Sequence, residues 1–150
     1  DEWHRAAAAP PPDVPDAEAA IGGYREMADR FVAGFHEQIA GLMEADPGTL
    51  PAIDVFFHQR DFAEFQDRET LERLFVPTLG AYLGLLLVNF LDGRWVPRRE
   101  LDEVQVVVGG RAWLPFLRVR RYLHSRQSVR DRSLTQFYRE AERHTVHPDP

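Results

Sequence analysis

The sequence predicts a single helix-dominated α+β domain, and three stretches carry that prediction. An apolar period of three and four residues runs from Ile21 to Leu42. A run of 18 residues, Leu74 to Leu91, holds no charge. Alternating valines lead into Gly109–Gly110. A chain of 150 residues suits one domain, which buries about 70% of its extended-chain surface. The expected order is three helices, an antiparallel hairpin or three-stranded sheet, then two helices.

Residues 1–15 read as a flexible arm. Four prolines and four successive alanines give this stretch linker composition. Trp3 stands out there, as a residue that either docks on the domain or anchors a partner. Asp16 is a plausible N-cap. From it, Ile21, Tyr24, Ala28, Phe31, Phe35, Ile39 and Leu42 fall on one helical face. The turn sequence "ADPGTLP" ends that helix. A second helix is expected from Leu50–Pro51, with Ile53, Phe56 and Phe57 facing one way and a break near Asp61. Asp67 suits the cap of the third.

The charge-free run is at the lower limit of length for a membrane span. Pro77, Thr78, Tyr82 and Asn89 dilute it, and Arg73 and Arg94 stand beside Glu72 and Asp92. A buried central helix is therefore expected, with Gly80 and Gly84 admitting a close neighbour. Asp92–Gly93 stops it. Arg94–Val96 is a short strand candidate, and Gly109–Gly110 the turn of a type I′ hairpin. Pro115 opens a short helix to about His124, with Phe116, Val119 and Leu123 inward and Arg118 and Arg121 on an exposed face. Ser133–Gln136 is a capping box for the last helix, whose stripe is Leu134, Phe137, Tyr138 and Ala141. The domain spans 16–144, and 145–150 is a frayed tail.

Three segments of this pattern are similar to small uncharacterised bacterial domains. They are Thr49–Asp54, then "LGAYLG" at Leu79–Gly84, then "GRW" at Gly93–Trp95. Leu85 stands where those domains carry a glutamate. The resemblance implies a fold and a bacterial origin, and no activity comes with it.

Composition narrows the function classes. There is no cysteine, which excludes disulfides, thiolate metal sites and cysteine nucleophiles. The net charge of −6 argues against general polyanion binding. All 18 basic residues are arginine, which reads first as the codon bias of a GC-rich genome and second as guanidinium chemistry. Residues 1–93 hold 6 Arg and 17 Asp/Glu, while 94–150 hold 12 Arg and 7 Asp/Glu. Such asymmetry can hold the two halves together or steer a charged partner. The chain begins at Asp1 rather than methionine, as a processed or truncated chain does. No signal-peptide core is present in these residues, and a cytoplasmic setting is expected.

Chemistry-bearing clusters are weak. Asp54, His58 and Asp61 fall within an arc of about 60° on a continuous helix. That spacing suits a divalent metal or a carboxylate-oriented imidazole, but equally a solvated face. Glu140, His144 and His147 have helical spacing at a helix end. Ser125, Ser128 and Ser133 lie in an arginine-rich connector without a placed base. No nucleotide-binding, zincin or serine-hydrolase motif occurs. Residues 111–132 carry seven arginines, with Trp113, Phe116 and Tyr122 interleaved. They could contact phosphates and stack bases. They could also form the inner face of the hairpin and helix.

The expected function is a non-catalytic protein-interaction module without a cofactor, partnered by another protein or a second copy. Trp3, Arg118, Arg120, Arg121 and Arg126 are the expected partner-binding residues, because aromatic and arginine side chains dominate interfaces. A nucleic-acid binder using 111–132 and a metal-dependent enzyme at Asp54, His58 and Asp61 are the alternatives. Nucleic acid and membrane are the disfavoured partners.

Overall fold

A computed structural model describes residues 3–5, 12–60, 67–124 and 133–146. The fold is helix-dominated α+β. In chain order the elements are β1 (Trp3–Arg5), α1 (Ala17–Phe35), α2 (Leu50–Arg60), α3 (Arg68–Phe90), β2 (Arg94–Val96), β3 (Gln105–Val108), β4 (Arg111–Trp113), α4 (Pro115–His124) and α5 (Leu134–Val146).

Local chemistry sets most boundaries. The Asp16 carboxylate accepts from the Ala19 amide at 3.1 Å and starts α1. Asp67 accepts from Thr70 at 2.7 Å and starts α3. The Ser133 hydroxyl accepts from Gln136 at 3.0 Å and starts α5. Pro115 occupies the first position of α4, where its missing N–H has no partner to lose.

The end of α1 differs from the periodicity. The helix stops at Phe35, although the apolar spacing continues to Leu42. The Ile39 amide closes on the Phe35 carbonyl at 2.9 Å, Gly41 turns left-handed at φ +80°, and Leu42–Glu44 forms a 3-10 turn. Ile39 and Leu42 are still buried. Successive tight turns return a side chain to the core every three or four residues, so the spacing alone does not separate turn from helix.

Central to the core is α3. By length and composition it could cross a membrane, but 67% of its most apolar window is buried within the protein. Leu71–Phe75 widen to a π turn just before Pro77. The wider turn relieves the clash between a proline ring and the carbonyl four residues earlier. Thr78 donates its hydroxyl to the Leu74 carbonyl at 2.8 Å. Gly80 and Gly84 admit close neighbours, as their spacing predicts. A Cβ at Gly80 would lie 2.5 Å from Phe116 Cδ1 of α4, and one at Gly84 would lie 2.3 Å from Trp95 Cη2 of β2. Asp92 takes φ +55° and Gly93 donates its amide to the Leu87 carbonyl at 3.2 Å, which closes the helix.

The sheet has the order β1-β4-β3-β2, antiparallel throughout. Gly109 and Gly110 both have positive φ, as a type I′ hairpin requires. Trp95, Val106 and Trp113 lie opposite one another across β2, β3 and β4. They share the face that meets the helices: Trp95 stands against Gly84, and Trp113 is edge-on to Phe137 of α5. Sequence patterning found three of the four strands. The fourth comes from within the expected arm, where Trp3–Arg5 pairs with β4. Farther along that arm, Asp13 accepts from the Arg99 amide at 2.7 Å and lies 3.4 Å from the Arg98 guanidinium.

Candidate interaction surface

The arginine-rich helix α4 is held between other elements, and this decides what its side chains can do. Phe116 packs on α3 at Gly80. Tyr122 meets Phe57 of α2 with ring centroids 6.0 Å apart. Arg118 faces α5, its guanidinium carbon 5.0 Å from the centroid of the Phe137 ring.

Arg118 is therefore not on an exposed face beside Arg121, as its spacing suggests. It is only 7% exposed. A helix of ten residues caught between two others buries more than one stripe, and a guanidinium tolerates an aromatic neighbour. Arg118→Glu is expected to cost about 2 kcal/mol, since it places a carboxylate against a ring face and abandons the packed stem. Thermal unfolding followed by circular dichroism checks this. An unchanged midpoint would mean that the side chain reaches solvent.

Arg120 joins the two halves of the chain. Its Nε lies 2.9 Å from Glu72 of α3, and its terminal nitrogen pairs with Asp102 in the turn before β3. His124 Nε2 lies 3.1 Å from the same Glu72. Here the charge asymmetry of the sequence is used internally. Arg121 is partly exposed. Arg126 lies outside the described residues. Trp3 enters the sheet through its backbone, in register with Trp113.

Asp54 directs both oxygens at the start of α5. It accepts from the Leu134 and Thr135 amides at 3.0 and 3.1 Å and from the Thr135 hydroxyl at 2.5 Å. Burial first, and then the Asp54 charge, push the pKa of Tyr122 above the ordinary phenol range. His58 is exposed, and Asp61 lies outside the described residues. His144 packs against Trp113 with ring centroids 5.7 Å apart, and Glu140 pairs with Arg143. His147, Ser125 and Ser128 lie outside the described residues. Among the described residues, no three His, Asp or Glu side chains converge as a metal site would require.

One surface feature was missed by sequence reasoning. An open depression of about 390 Å³ lies between the turns after α1 and one face of α2. Gln38, Ile39 and Ala40 form one wall; Pro51, Ala52, Val55 and Phe56 form the other. Val55 is 52% exposed, and Met43, in the next turn, is 72% exposed. A signal was present in the sequence. Val55 falls on the side of α2 opposite Ile53 and Phe57, where a soluble helix carries a polar residue.

Comparison of the chain with protein-family models, with curated proteins and with solved structures found no match.

Proposed function

We propose that this chain is a non-catalytic protein-interaction module: an adaptor, an assembly subunit or an immunity-type protein of a bacterial system. The observation that supports this is the apolar depression at Ile39–Val55, with Val55 and Met43 left in solvent. The core beneath it runs from Phe31 through Tyr82 to Trp113, all of them buried. An apolar trough on such a domain is a place where a second protein can bury side chains. The arginines fit a smaller role than their number suggests, because Arg118 and Arg120 are engaged within the domain. Arg121, Arg126 and Trp3 remain the candidate partner-binding residues.

Native mass spectrometry of the protein purified at low salt from its own host tests this. The expected result is a mass above a whole multiple of 17.3 kDa, with the excess identified as another polypeptide. A clean monomer or homo-oligomer would rule out a stable adaptor.

A further inference from the structure

We infer that the depression between the end of α1 and α2 docks an apolar helical segment of another protein, flanked by arginine or lysine. The inference rests on the interaction-module reading and adds the chemistry of the partner. Shape comes first. Pro51, Ala52, Val55 and Phe56 lie one turn apart on a single face of α2, and the opposite wall is irregular chain. The amides of Gln38 and Ile39 bond the Phe35 carbonyl, and that of Leu42 bonds the Ile39 carbonyl. That wall is a run of tight turns and not an extended edge open to strand addition, so side chains must fill the trough. Apolar residues one turn apart on a helix fill such a trough.

Charge decides the flanks. Between Arg30 and Arg60 the chain carries Glu37, Glu44, Asp46 and Asp54. Asp46 caps the turn at Gly48, and Asp54 caps α5. Glu37 and Glu44 are exposed and form no ion pair among the described residues. Glu37 adjoins the lining residue Gln38. A Glu44 carboxylate oxygen lies 4.0 Å from the position of a Cβ on Gly41, beside Ala40. An apolar helix with basic flanks meets attraction at this rim, and one with acidic flanks meets repulsion.

A phage-displayed library of amphipathic helical peptides, apolar at i, i+4 and i+7 with randomised flanking charge, tests this against the full chain. Enrichment of basic flanks is expected, with binding that weakens as salt rises. Val55→Asp should reduce binding of the enriched peptides at least about tenfold. Val55 is half exposed, so the variant should stay folded; Ala40→Arg, at another exposed lining position, is the second blocking variant. Glu37→Arg with Glu44→Arg should turn the preference toward acidic flanks. Enrichment indifferent to flank charge would overturn the inference, as would none above the Val55→Asp chain. Concentration-dependent dimers abolished by Val55→Asp would overturn it too, since the occupant would be a second copy. A co-purifying protein that binds the Val55→Asp chain equally well would remove this trough and leave the interaction module standing.

Discussion

Replacing Gly84 by alanine is expected to destabilise the protein by about 3 kcal/mol, although alanine is the better helix former by about 1 kcal/mol. The added methyl would lie 2.3 Å from Cη2 and 2.9 Å from Cζ3 of Trp95, well inside contact distance. The indole has little room to retreat. Its ring centroid is 4.8 Å from that of Tyr24 and 6.3 Å from that of Phe116, and only 6% of the residue is exposed. Either β2 lifts from α3, or the aromatic cluster repacks around a strained rotamer. Urea unfolding of Gly84→Ala measures the cost. A second variant assigns the cause: Trp95→Leu removes the ring atoms that the methyl meets, so Gly84→Ala should cost much less in that background. Additive costs in the double mutant would show that the two residues do not couple, and would reject the steric account.

The glycine pair was legible because small residues four apart in an apolar helix have few other uses, although the spacing does not say which residues fill the gap. Helix starts were legible for a related reason: Asp16, Asp67 and Ser133 act within three residues of themselves. So was the start of α4, since Pro115 is local chemistry too. Features that depend on distant elements were not legible. The spacing of Arg118 matches that of a surface residue, but it is buried beside Phe137 of α5. Arg120 could be seen as a cation, but its partners Glu72 and Asp102 are 48 and 18 positions away. The trough was half legible, since Val55 is out of phase with the core face of α2. Its other wall exists because the chain leaves the helix at Phe35, which the apolar period conceals.

Asp54 shows the same limit most sharply, and its replacement carries the second large expected effect. Asp54→Ala should cost about 3 kcal/mol, more than an ordinary cap, because one carboxylate serves two amides and a hydroxyl across 80 positions of sequence. It is a cap lent by α2 to α5. Its negative charge also faces the positive end of the α5 dipole. Without it, the amides of Leu134 and Thr135 lose their acceptors at a partly buried junction, and α2 loses its polar tie to α5. Hydrogen exchange should report this locally first, with faster exchange at Leu134 and Thr135 than at the sheet amides of Val106 and Val107. Asp54→Asn keeps one carbonyl acceptor and should recover part of the loss. The alternative role, a carboxylate orienting His58 for acid–base or metal chemistry, predicts otherwise. In that case Asp54→Ala would leave stability and exchange at α5 nearly unchanged, and His58→Ala would reproduce its functional effect. A large stability loss for Asp54→Ala with none for His58→Ala would assign the carboxylate to the fold.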